Sequence, residues 1–231
     1  MKTSPKVLIF PTKKQAVSYA ADLIARQIKS KPSSALGLAT GRTMIPLYKS
    51  LVSKKPNFSK IKTFNLDEYL KAKSSKSFRN FMDKKLFNKT NIKEKNINFL
   101  DSNSESISRE CSRYETLLSK TRIDLQVLGI GRKGHIAFNE PGSSFKSKTR
   151  AVRLSSQTIR LNKSPPRALT MGIKTILRAK KIILLAFGKH KAEAVARAIL
   201  YSPTTQVPAS ALRMHENALF ILDKQAAIKL K

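Results

Sequence analysis

Acidic residues are scarce in this chain of 231 residues, where 14 Asp and Glu stand against 46 Lys and Arg for a formal net charge of +32. No run of about 18 apolar residues, the length of a membrane-crossing helix, occurs. The first ten residues hold only four consecutive apolar ones, Val7-Leu8-Ile9-Phe10, too few for a signal-peptide core, so a cytoplasmic protein without membrane attachment is expected. The single cysteine, Cys111, excludes an internal disulfide and a cysteine-based metal site, and a buried helix position is its expected place. Internal repeats and low-complexity tracts are also missing. The excess of base would suit a nucleic-acid partner. Yet the cations are spread as single residues and pairs without a basic arm, and no aromatic stacking platform accompanies them. A basic solvated surface is therefore expected, rather than nucleic-acid binding. Against so few acids, a carboxylate inside a compact motif stands out; Asp67, Glu68 and Glu140 do.

What is present alternates between apolar runs and helical spacing. Lys6–Phe10, Ser34–Ala39, Ile61–Leu66, Ile123–Ile130, Lys181–Phe187 and Ala218–Leu222 read as strands. Helical spacing predicts helices over Gln15–Ile28, Ile45–Val52, Ser77–Phe87, Ile107–Leu118, Ala168–Leu177 and Lys191–Leu200, with loops at Ser53–Lys60, Lys71–Ser77, Asn88–Asn96 and Ser155–Pro166. Such alternation predicts an α/β fold: a doubly wound, mostly parallel, Rossmann-like sheet flanked by helices, in one domain spanning residues 1–231. Ligands of such sheets bind beyond the carboxyl ends of the strands, so functional residues should follow strands.

Three segments do. Gly37-Leu38-Ala39-Thr40-Gly41-Arg42-Thr43 joins a strand to a helix, where glycine permits close backbone approach and helix-start amides attract phosphate. The same glycine also serves plain turn geometry. Phe64-Asn65-Leu66-Asp67-Glu68-Tyr69 ends a strand with adjacent carboxylates, suited to proton transfer if one enters the cleft while its neighbour is held elsewhere; taken alone, a helix cap or a solvated pair is the better reading. The third, Gly129-Ile130-Gly131-Arg132-Lys133-Gly134-His135-Ile136-Ala137-Phe138-Asn139-Glu140-Pro141-Gly142, sets one of only three histidines in a glycine-rich loop, five residues before a carboxylate able to orient it.

Taken together and in this order, these motifs resemble those of glucosamine-6-phosphate deaminases, a family related to the 6-phosphogluconolactonases. The similarity runs from about Ala35 to Leu222 and includes Asn96–Leu100, Ala168–Ile173 and Pro208–Leu212; the Asn139-Glu140-Pro141 ending is similar to the deaminase branch. The resemblance implies conversion of glucosamine 6-phosphate to fructose 6-phosphate and ammonia, in amino-sugar (N-acetylglucosamine) catabolism, without metal or organic cofactor. It implies that His135 shuttles a proton to the ring oxygen with Glu140 tuning it, and that Asp67 moves a proton between C2 and C1. Thr40, Gly41, Arg42, Thr43 and Lys191 would take the phosphate.

Some positions depart from the family pattern. Lys133 stands where the family has Asp or Asn, and a lysine near His135 would favour the neutral imidazole. The segment from Asn162 to Ala168 is shorter than the family's lid, and its phosphate-binding arginine has no clear match; Arg160, Lys163 and Arg167 are candidates. Arg42 and Met44 replace a small residue and a proline. Ser143 and Arg150 match part of the allosteric site of longer members while Val152 does not, so no allosteric activation and a monomer or small homo-oligomer are expected. The competing readings are an isomerase or lactone hydrolase on another sugar phosphate, and a non-catalytic sugar-phosphate sensor or nucleic-acid-associated protein.

Overall fold

The computed structural model describes residues 5–230; residues 1–4 and 231, the ends of the expected domain, lie outside the described residues. Seven strands form a wholly parallel sheet: β1 (Lys6–Phe10), β2 (Ala35–Leu38), β3 (Lys62–Asn65), β5 (Ile97–Asn98), β6 (Leu125–Gly129), β9 (Ile182–Ala186) and β10 (Ala218–Asp223), in the order β1-β10-β9-β6-β2-β3-β5. The expected parallel, helix-flanked α/β sheet is therefore observed. Its central strands are continuous apolar runs because helices cover both faces; every residue of β9, Ile-Ile-Leu-Leu-Ala, is buried.

The helices are α1 (Lys13–Ser30), α2 (Met44–Ser53), α3 (Phe78–Lys85), α4 (Ile107–Lys120), α5 (Ser156–Asn162), α6 (Ile173–Ile176) and α7 (Ala192–Leu200). Local sequence explains α1 well. Thr12 and Gln15 form a reciprocal capping box at its start, and Ala16, Val17, Ala20, Ala21, Leu23, Ile24 and Ile28 form one buried stripe against the sheet. Among the described residues no helix is long and apolar enough to cross a membrane. Cys111 lies on α4, only partly buried.

Chain order reverses between β2 and β6: from β2 the sheet grows through β3 to β5, and from β6 through β9 and β10 to β1. Such a switch opens a crevice at the carboxyl ends of the strands. The loops after β2 and β6 flank it.

Two expectations need correction. Ala168–Leu177 is not a helix: Arg167–Thr170 is strand β8, followed by the single helical turn α6. Its apolar spacing mimics a helix, but β8 is held between two strands absent from the expected set, β4 (Asp67–Tyr69) and β7 (Arg150–Arg153), in a small antiparallel sheet ordered β4-β8-β7. Tertiary pairing overrides local spacing here. The Ser155–Pro166 loop, likewise, contains α5, capped by the Ser155 hydroxyl accepting from Thr158 N–H.

Leu66 joins the two sheets. Its N–H donates to Leu38 O (3.2 Å) in the large sheet, and its carbonyl accepts from Met171 N–H (2.7 Å) beyond β8. At the other end of that junction Gly172 leaves no room for a side chain, since a Cβ there would sit 2.2 Å from the Ser147 carbonyl oxygen. Gly172→Ala is expected to cost about 1–3 kcal/mol of stability, read as a lower urea midpoint at unchanged slope; an unaltered midpoint would contradict this close packing.

Candidate active site

Sequence-local geometry places Asp67 first. The chain leaves β3, passes Leu66 and enters β4, so Asp67 pairs with Thr170 of β8 and faces a cleft of about 970 Å³ at the carboxyl ends of the large sheet. Asp67 is only 7% exposed and has no ion-pair partner among the described residues. Burial, helped by the neighbouring Glu68 charge, pushes its carboxyl up to about 8. Glu68 points elsewhere: its Oε1 accepts from Tyr69 N–H (2.9 Å) and Phe78 N–H (2.8 Å), and its Oε2 from Arg79 N–H (2.9 Å). It caps α3, which explains why the two adjacent carboxylates differ in role.

The loop after β6 brings in His135 and Glu140. Gly131 N–H donates to His135 O (2.8 Å), closing the turn. A Cβ on Gly131 would lie 2.0–2.3 Å from the imidazole ring, so this glycine makes the space that His135 occupies. Gly134 holds φ +81° against Val207, where a side chain would be both strained and obstructed. Phe138 N–H donates to Thr170 Oγ1 (3.1 Å), and buried Asn139 donates through Nδ2 to Met171 O (2.8 Å) and Ile136 O (3.1 Å). The loop is thus fastened to β8, the strand that also pairs with Asp67. Burial, then the charge of Lys191, lowers the proton affinity of His135, with Glu140 opposing them. A neutral imidazole results, able to accept a proton. Glu140 itself accepts from Ser155 N–H (3.0 Å), Ser155 Oγ (3.0 Å) and the Thr158 hydroxyl at the start of α5.

The third group is cationic. Gly41, at φ +100°, lets Met44 N–H reach Gly41 O (3.0 Å), and Thr40, Gly41, Arg42 and Thr43 line the cleft where α2 begins. Lys191 follows β9 on one tight helical turn, Lys189–Lys191, and donates to Ile130 O (2.6 Å). Burial and the charges of Arg132 and Arg42 lower its ammonium to about 8. A helix start, a lysine and two arginines at one end of a cleft, with a buried carboxyl and a neutral imidazole in the same cleft, suit a ligand that is anionic at one end and exchanges protons at the other. Among the described residues no group of three or more His, Cys, Asp or Glu side chains is arranged to hold a metal ion.

A family model described as glucosamine-6-phosphate isomerases/6-phosphogluconolactonase matches residues 11–221. The chain belongs to this family. It is 44% identical over 241 residues to a glucosamine-6-phosphate deaminase of Clostridium botulinum (strain Langeland), covering 98% of this chain and 99% of the relative. With a glucosamine-6-phosphate deaminase of Clostridium novyi the identity is 44% over 240 residues, covering 97% and 100%. The solved structure of a monomeric glucosamine-6-phosphate deaminase superposes with TM-score 0.93 at 39% identity, covering 97% of this chain and 99% of that one. A 6-phosphogluconolactonase from Trypanosoma cruzi shares the fold, with TM-score 0.84 at 22% identity.

Within this isomerase/lactonase family chain, the expected site residues Asp67, His135, Glu140, Thr40, Gly41, Arg42, Thr43 and Lys191 all line one cleft. Lys133 lines it as well, with an exposed side chain, and the cation acting on His135 is Lys191. The lid candidates Arg160, Lys163 and Arg167 do not line the cleft; α5 contributes Gln157 and Thr158 there. Ser155, Thr158 and Arg132 were not expected from sequence. The two hydroxyl residues carry no signal apart from Glu140, and Arg132 is one cation among 46 Lys and Arg.

Because folding raises the Asp67 carboxyl from 3.8 to about 8, the folded state holds a proton there that the unfolded chain releases across that window, so stability falls as pH rises from about 4 to 8. Asp67→Asn, which cannot titrate, should gain on the wild type across that window by a few kcal/mol, measured by urea unfolding. A gap independent of pH would contradict burial as the cause.

Proposed function

We propose that this protein converts glucosamine 6-phosphate and water to fructose 6-phosphate and ammonia. The observation that carries this reading is the meeting, in one cleft, of a buried carboxyl, a neutral imidazole with an adjacent carboxylate, and an anion-binding end. The family relatives named glucosamine-6-phosphate deaminase, similar over nearly the full chain, support the substrate.

In this scheme the phosphate lies against the Thr40–Thr43 turn and Lys191. His135, neutral at rest, relays a proton from the anomeric hydroxyl to the ring oxygen, and the C1–O5 bond breaks to give the open-chain aldehyde. Glu140 stabilises the imidazolium formed in passing. Asp67, once ionised, takes the proton from C2 and delivers it to C1 through an enolamine. Addition of water at C2 and loss of ammonia complete a balanced hydrolysis. Burial of Asp67 suits this step, because a carboxylate short of water is a stronger base than one in solution. A place in amino-sugar breakdown, a cytoplasmic location and a monomeric or small-oligomeric state belong to the same proposal. Val152, standing where longer members carry a basic residue, supports the absence of an effector site.

Ammonia release from glucosamine 6-phosphate is expected in the wild type and should fall by about 100-fold or more in Asp67→Asn and in His135→Gln; no turnover by the folded wild type would overturn the reading.

The free-enzyme titrations set a pH profile. Ionisation of Asp67 raises kcat/KM with pH and deprotonation of Lys191 lowers it, both about 8, so kcat/KM should peak near pH 8. Lys191→Arg should move only the alkaline limb upward, because a guanidinium keeps its proton. An alkaline limb that stays in place would remove Lys191 from that role.

A further inference from the structure

The β6 loop brings Arg132 and Lys133 to the cleft beside His135, and the proton chemistry does not explain the surroundings of Arg132, whose charge acts on Lys191. Arg132 follows β6 and Arg42 follows β2, on the two loops that flank the reversal of strand order, and both line the cleft with Lys191 and His190. Neither guanidinium has a hydrogen bond or ion pair to another described residue, although seven ion pairs occur among those residues. Asp67 and Glu140 are the carboxylates that line this cleft, and Glu140 is engaged by Ser155 and Thr158. Like charges brought together in a concave site without a counter-charge repel one another until an anion arrives. Meanwhile the α5 segment offers no cation to the cleft: Arg160, Lys163 and Arg167 lie off it, and the Lys163 carbonyl accepts from Lys76 Nζ (2.7 Å).

We infer that Arg132 is a phosphate-binding and specificity-determining residue, gripping the substrate phosphate together with Arg42 and Lys191 in place of an arginine from the α5 segment. This deepens the deaminase reading and rests on it for the identity of the sugar. Arg132 precedes His135 by three residues on the same glycine-bounded loop. A phosphate held by its planar fork therefore also fixes the loop that carries the imidazole. The charges of Arg132 and Arg42 both act on Lys191 and on His190, so the four groups form one field that a dianion would satisfy. Lys189, next in sequence but off the cleft, supplies a same-charge comparison.

The test is calorimetric titration of the full chain with glucitol 6-phosphate, an open-chain sugar phosphate without an amino group, and with glucitol, at one low salt concentration. Arg132→Gln should weaken glucitol 6-phosphate binding by about tenfold, the scale of one charge-assisted contact, while Lys189→Gln changes it by less than about twofold and glucitol binds none of the proteins measurably. Arg132→Gln binding no weaker than Lys189→Gln, or a wild type that does not bind glucitol 6-phosphate, overturns the inference. Phosphate-dependent binding lost in Arg132→Gln, with no ammonia release by the wild type, would leave this site standing and remove the deaminase reading instead.

Discussion

A carboxyl group only 7% exposed and without an ion-pair partner among the described residues is the constraint from which the rest of the site follows. Keeping Asp67 there costs charge solvation, which is why its proton is held up to about 8. The residue stays in place because its backbone is part of a sheet: β4 pairs with β8, and β8 fastens the β6 loop through Thr170 and Met171. On the far side β7 leads into α5, whose first turn binds Glu140. One three-stranded antiparallel sheet therefore sets Asp67, His135 and Glu140 relative to one another. The large parallel sheet provides the crevice; the small one provides the register.

The cleft is strongly cationic around two carboxylates. Arg42 where α2 begins, Arg132 after β6 and Lys191 after β9 act on one another, further lysines (Lys13, Lys76, Lys84, Lys85 and Lys133) line the same cleft, and Asp67 and His135 lie in drier surroundings. An anionic sugar derivative would be drawn in by the cations and oriented for Asp67 and His135. Arg132 and Arg42 depress the proton affinity of Lys191, and Lys191 in turn that of His135, so occupancy of the anion site and the readiness of the imidazole are electrostatically linked.

Much of this was legible as local strings. Continuous apolar runs announced β6, β9 and β10, and the glycine turn, the Asp67-Glu68 pair and the His135 to Glu140 loop each followed a strand as an α/β crevice requires. The small sheet was not legible. β4 is three residues long and sits one residue beyond β3, and Ala168–Leu177 carries helical apolar spacing although its first part is a strand. Pairing between segments about 100 residues apart decides these elements, and periodicity contains no record of it. Arg132 and Lys133 are both exposed and both line the cleft; the charge of Arg132 is the one that acts on Lys191, and nothing in a string of 46 Lys and Arg marks that difference. Ser155 and Thr158 became visible only when the fold brought α5 to Glu140.

The central claim is that burial holds the Asp67 carboxyl protonated far above the usual range. Its most direct test is a carbon-13 NMR titration of the aspartate carboxyl carbons in the ligand-free protein, with Asp67 assigned by its absence from the Asp67→Asn spectrum. A midpoint near 8 for that resonance is the predicted result. A midpoint at about 4, where a solvated aspartate titrates, would contradict the account.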